Sequence, residues 1–199
     1  VQTCALPISP VVEWLKNLRI SDLDEIVTDD REIYELAGQY AAEAVKEKLR
    51  LYEDELLPLY KLYSLETILS RTLNKKVWLK SGGYLVIEQT EALTAVDVNS
   101  GKMVKKKDSF LKTNLEAAEE LVRQIGLRNL SGMIIVDVIN LKEKAEEEQL
   151  VSALKKYIQQ ENTGIVYVDM TRLGLVELTR KKNGKTLREL FADGRKEEV

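Results

Sequence analysis

The chain has no histidine among its 199 residues. This removes the commonest general base at neutral pH, the imidazole metal ligand and every Ser-His or Cys-His catalytic pair, so any hydrolysis must use carboxylates, lysine or a metal ion. Cysteine is nearly absent too. Cys4 is the only one, which excludes an internal disulfide and any structural zinc site built on several cysteines. No apolar run approaches the roughly 20 residues that span a bilayer, and the N-terminus lacks the charged-then-apolar order of a secretory signal. A cytoplasmic address is therefore expected. A global excess of positive charge is also missing: the formal net charge is −3, which gives no polycation signature for nucleic acid.

What is present is a composition, 44% apolar, that can fill the core of one sizeable domain or of one domain plus part of another. Positive charge is unevenly spread. Lys102, Lys105, Lys106, Lys107 and Lys112 form one cluster, and Arg172, Arg180, Lys181, Lys182, Lys185 and Arg188 form another near the end. Each reads equally well as a set of phosphate contacts or as a solvated loop or tail. Residues 1–9, VQTCALPIS, share neither the charge pattern nor the periodicity of the rest of the chain and resemble the in-frame translation of a sequencing adapter. They are expected to be non-native, with the native chain starting upstream of Pro10.

Residues 10–18 have a short amphipathic helical pattern, and a strand is expected around residues 25–28. Asp30 is placed to cap a long helix through residue 51, with Ile33, Leu36, Ala37 and Tyr40 at helical spacing. Residues 55–63 read as a loop broken at Pro58, and Ser64 as the cap of a short helix carrying Leu65, Ile68 and Leu69. From Lys75 the period changes. Residues 76–80, 83–89 and 93–99 read as three strands on tight turns. Then come a helix over 113–125 ended by Gly126, a strand over 133–139, a charged amphipathic helix over 143–160 and a strand over 164–169. This order implies an α/β fold with a largely buried mixed sheet and helical crossovers.

The chemistry concentrates in the strand that ends in Asp97-Val-Asn99. Residues two apart on a strand share a face, so the carboxylate of Asp97 and the amide of Asn99 point the same way. Asp137 sits in a second apolar strand. Two strand-borne acids brought together make a site for a hard cation, and ligands gather outside the carboxyl ends of strands in open α/β sheets. The spacing equally allows a buried, hydrogen-bonded Asp137 and an Asp97 that caps a turn, because Asp-x-Asn is a weak motif by itself.

Four blocks in one order, GGYLVIEQTEALTAVDVNS (82–100), TNLEAA (113–118), RQIGLRNLSGMIIVD (123–137) and LGLVELTRK (173–181), resemble the ribonuclease E/G family. The resemblance implies a partial ribonuclease H-like domain over residues 10–74, a deoxyribonuclease I-like catalytic subdomain over 75–182 and a C-terminal tail over 183–199. It implies Asp97 and Asp137 as magnesium ligands, Asn99 as the residue that orients Asp97, and single-stranded RNA as substrate. Cleavage is then expected to leave a 5′-phosphate and a 3′-hydroxyl, in messenger RNA decay and in ribosomal or transfer RNA maturation. Lys105, Lys106, Lys107 and Lys112 become candidate RNA contacts. Family members carry an S1-type RNA-binding domain and a 5′-monophosphate sensor before these blocks, and neither is in this sequence, so a fragment that binds RNA without cutting it is the alternative. The family's cysteine-pair zinc link after the last block is also missing. A homo-oligomer of the full-length protein is compatible with the resemblance, but without that link. Asn140 stands where many members carry a further acid.

Overall fold

The computed structural model describes residues 15, 23–101, 108–161 and 163–194, so the helix expected over 10–18 and the lysines of 102–107 lie outside the described residues. The chain divides into two compact units, residues 1–69 and 70–199.

In the first unit, β1 (Ile26–Thr28) and β2 (Leu49–Leu51) pair in parallel, with α1 (Arg31–Tyr40) and α2 (Glu43–Lys46) between them. Asp30 caps α1 as its sequence suggests: its Oδ1 accepts from the Ile33 amide at 3.0 Å. The single helix expected from 30 to 51 is not formed. Ala41 and Ala42 take extended backbone, ending α1, and Leu49–Leu51 becomes a strand because its backbone groups find partners on β1. Leu15, Ala37, Ala41 and Val45 form the core, with Ile26 and Leu49 packed on it. Residues expected as loop also include a helical turn, α3 (Leu59–Leu62), which starts directly after Pro58. In α4 (Leu65–Thr72) no residue is fully buried, and Ile68 is exposed.

The second unit is a six-stranded mixed sheet. Its strands are β3 (Lys76–Trp78), β4 (Tyr84–Gln89), β5 (Leu93–Asn99), β6 (Gly132–Asp137), β7 (Ile165–Met170) and β8 (Leu175–Arg180), in the spatial order β3-β4-β5-β6-β8-β7. The expected meander is β3-β4-β5, all antiparallel. The crossover helix α5 (Asp108–Leu127) then returns the chain to lay β6 parallel to β5. After α6 (Lys144–Glu161), β7 forms the far edge and β8 folds back between β6 and β7.

The sheet is not buried on both sides, contrary to the expectation. Leu85, Ile87, Val96, Val98, Ile134 and Val136 face α5 and α6 and are nearly inaccessible, while the alternate residues of β5 and β6, among them Ala95, Asp97, Met133 and Asp137, are exposed. Period-2 alternation of this kind gives one core face and one open face.

Gly126 does not end α5. The helix runs on to Leu127, and Asn129 takes the left-handed conformation instead (φ 50°), with Leu130 N–H donating to the Ile125 carbonyl and Asn129 N–H to that of Gly126. This is a Schellman cap closed by asparagine. Gly126 is small for another reason: a Cβ there would lie 3.0 Å from the Thr163 methyl. Beyond β8 the chain forms α7 (Leu187–Gly194). Its capping box has Thr186 N–H donating to Glu189 Oε2 at 2.6 Å and Glu189 N–H donating to Thr186 Oγ1 at 3.3 Å.

Candidate active site

The two acids singled out by the sequence are neighbours on the central parallel pair. Asp97 of β5 and Asp137 of β6 are register partners, in a row that continues to Val86 on β4 and Leu175 on β8. Adjacent strands lie about 4.8 Å apart, and partners in register project to the same side. That side is the open face: both aspartates are exposed, at or next to the carboxyl ends of their strands. Asn99, one row nearer the strand end, donates from Nδ2 to Asp97 Oδ2 at 2.6 Å.

Both alternatives left open by spacing are thereby corrected. Asp137 is not a buried, hydrogen-bonded carboxylate; it is exposed and accepts no hydrogen bond from any described residue. Asp97 does not cap a turn; it lies inside β5 and its hydrogen-bond partner is the Asn99 amide. The sequence left the burial of Asp137 open for a clear reason. Met133 and Ile135 are apolar although they sit on the open face, so β6 lacks the alternation that would have revealed its exposed side.

Several residues of the matched blocks hold this geometry, which the sequence did not reveal. Asn114 on α5 is buried, donates from Nδ2 to the Ile139 carbonyl at 2.7 Å and accepts on Oδ1 from the Ile139 amide at 3.0 Å. It therefore clamps the backbone two residues beyond Asp137. Glu116, two residues further along α5, accepts from the Ser81 amide with both carboxylate oxygens, at 3.2 and 3.1 Å, and fixes the β3–β4 turn. Ala117 and Ala118 sit in the core.

Gly83 closes the arrangement. A Cβ there would come within 2.8 Å of the Asn99 carbonyl oxygen and 2.9 Å of the Thr113 methyl. Gly83→Ala is thus expected to force the end of β5 away from the turn and to cost about 1–3 kcal/mol in urea unfolding. A variant as stable as its parent would mean that this approach is loose.

Basic residues behave in two ways. Lys112 is exposed near the start of α5, which follows the carboxyl end of β5, and Arg172 is exposed in the β7–β8 turn that precedes Leu175, the register partner of Asp137. Arg180, counted with the terminal basic cluster, does not belong to any surface patch. It is buried, with Nε donating to the Thr163 carbonyl at 2.6 Å and Nη1 to Asn129 Oδ1 and the Leu130 carbonyl, each at 2.8 Å. Burial holds its guanidinium below the ordinary arginine pKa.

Among the described residues no three His, Cys, Asp or Glu side chains gather into a metal cage. Two exposed carboxylates side by side suit a different kind of site, one that binds a hard cation through one or two acids and leaves its remaining positions to water and substrate. The family model for the ribonuclease E/G family matches residues 7–183. The chain belongs to the ribonuclease E/G family. Ribonuclease G of Salmonella typhimurium (strain SL1344) is 35% identical over 185 residues, 90% of this chain and 38% of that protein. Ribonuclease G of Escherichia coli (strain K12) is 34% identical over the same shares. Ribonuclease E of Nostoc sp. (strain PCC 7120) is 33% identical over 187 residues, 90% of this chain and 27% of that protein. The chain thus spans well under half the length of these family relatives. The matched region includes both aspartates, Asn99 and the α5 clamps.

Proposed function

We propose that this chain carries the catalytic carboxylates of a magnesium-dependent endoribonuclease that cuts single-stranded RNA. The observation that carries the reading is the register of Asp97 with Asp137 on the open face, with Asn99 hydrogen-bonded to the first. In this reading the mixed sheet is the deoxyribonuclease I-like subdomain, and the first unit is the later part of a ribonuclease H-like fold. Asp97 and Asp137 are the residues that would hold the cation. Asn99 keeps the Asp97 carboxylate turned toward it, and Asn114 fixes the chain just past Asp137 so that the two acids keep their spacing. The chemistry a bound magnesium would supply is a lowered pKa for an attacking water and charge stabilisation at the phosphoryl oxygens. The expected products carry a 5′-phosphate and a 3′-hydroxyl. Messenger RNA decay and ribosomal or transfer RNA maturation, in the cytoplasm, are the roles that fit. Among the described residues no helix is long and apolar enough to cross a membrane.

The test is incubation of the chain with a 5′-monophosphorylated single-stranded RNA, with and without magnesium. Cleavage that needs the metal and leaves 3′-hydroxyl ends is expected. RNA retained but uncut would favour the alternative of a non-cleaving binding fragment.

Lys105, Lys106 and Lys107 lie outside the described residues, in the segment joining β5 to α5 beside Lys112. Replacing the three by alanine is expected to weaken RNA binding for all sequences alike and to flatten the slope of log K against log salt by about 0.7 for each phosphate no longer held. Binding measured across a salt series with an unchanged slope would show that these lysines touch no phosphate.

A further inference from the structure

The open face carries a second feature, one row from the aspartates. Trp78 on the edge strand β3 pairs in register with Tyr84, which pairs with Asn99, so the three share a row on the same side as Asp97. Trp78 is 64% exposed, unusual for an indole, which normally buries most of its surface. Its ring is nevertheless held in place, meeting Tyr84 edge-on at 5.2 Å with the planes at 62°. Lys76, two residues earlier on the same face, places its Nζ 4.0 Å from the Trp78 ring centroid and 3.6 Å from that of Tyr84. No ion pair falls to Lys76 among the described residues.

We propose that Trp78, Tyr84 and Lys76 form a stacking platform for one unpaired base of the RNA, on the same face as Asp97 and Asp137. This deepens the nuclease reading and rests on it. Three observations favour RNA as the occupant. The platform is continuous with the candidate site, since Trp78 lies two strand spacings, about 10 Å, from Asn99. It joins aromatic rings to an unpaired cation, the pairing that binds a base and its phosphate together. Trp78 also borders a groove lined by Glu116, Glu119, Glu120 and Glu161, with Lys80 and Arg123, and this carboxylate-rich side is less favourable to a phosphodiester than the side that carries Lys76. An arriving base takes the place of the ammonium on the Trp78 ring, and Lys76 swings on its flexible stem to the phosphate. Every base has a π-face, so such a platform holds the strand unpaired without selecting sequence. Inside a duplex the faces of each base are covered by its stacked neighbours, and the platform thereby favours single strands.

The experiment uses the full chain carrying Trp14→Phe, which leaves Trp78 as the only tryptophan. A fluorescein-labelled single-stranded RNA decamer is titrated in EDTA, so that binding is read without cleavage, by anisotropy and by Trp78 emission together. Saturable quenching of Trp78 is expected, with the same midpoint as the anisotropy change. Trp78→Ala is expected to raise Kd roughly 5- to 100-fold, and Trp78→Phe to restore most of it. Lys76→Ala should lower the salt slope by about 0.7 while leaving quenching in place. RNA that binds with unquenched Trp78 and an unchanged Kd in Trp78→Ala overturns the platform and spares the nuclease reading. Trp78 emission already characteristic of a buried ring in the free chain overturns it as well, because protein then covers the site. If the decamer does not bind the parent chain in EDTA at all, the platform is overturned, and the nuclease reading is decided separately by magnesium-dependent cleavage of the same RNA.

Discussion

Asp97→Asn and Asp137→Asn are each expected to lower RNA cleavage by at least about 100-fold while leaving the fold as stable as the parent or slightly more so. The loss of cleavage stems from the loss of a charged ligand, since asparagine keeps the shape and the hydrogen-bonding capacity of aspartate but not its charge. The retained stability stems from exposure and register. Two like charges directly opposite on neighbouring strands repel each other when no cation lies between them, and removing one relieves a few tenths of a kcal/mol. Asn99→Ala should be milder, because it removes only the 2.6 Å hydrogen bond that orients Asp97. Parallel kinetics and thermal unfolding check this. Equal loss of activity and of cooperative unfolding in all three variants would mean that these residues build the sheet and do not act on RNA.

Arg180→Leu is expected to have the opposite profile. It leaves the Thr163 and Leu130 carbonyls and Asn129 Oδ1 without their donor at the junction of β6, β7, β8 and the end of α5. Buried acceptors stripped of their donor cost about 1–3 kcal/mol each, and partial relaxation brings the sum to about 2–5 kcal/mol. For a chain of this size that lowers Tm by roughly 5–15 °C. Arg180→Lys should recover little, since an ammonium cannot span three acceptors as a guanidinium fork does. The salt dependence of RNA binding should not change at a temperature where the variant is still folded. A reduced salt slope with unaltered Tm would put Arg180 on the surface after all.

The contrast between Asp97 and Arg180 shows what the amino-acid pattern reveals. Asp97 and Asn99 were legible because β5 alternates cleanly, with Thr94, Val96 and Val98 buried between more exposed neighbours. Arg180 was not, because a basic residue within a basic stretch gives no sign that carbonyls from residues 130 and 163 surround it. Non-local pairing hid β2 in the same way: Leu49 and Leu51 continue a helical run until β1 offers them a backbone partner. The β8 segment was matched to the family as a block, yet its insertion between β6 and β7 follows from sheet pairing alone. Asn114 and Glu116 were visible only as letters of a motif. Their roles depend on the backbones of Ile139 and Ser81, which are distant in sequence. Trp78 lay in a strand the sequence identified, but its significance needs the row that places it beside Asn99.

The central claim is that Asp97 and Asp137 hold one cation between them, and the direct measurement is metal binding itself. Manganese, a paramagnetic stand-in for magnesium with the same preference for oxygen ligands, can be titrated into the chain and its free fraction read by electron paramagnetic resonance. One ion per chain is expected for the parent, displaced by excess magnesium, with that site lost in Asp97→Asn and again in Asp137→Asn. A single magnesium-displaceable ion that persists unchanged in both variants would contradict the account.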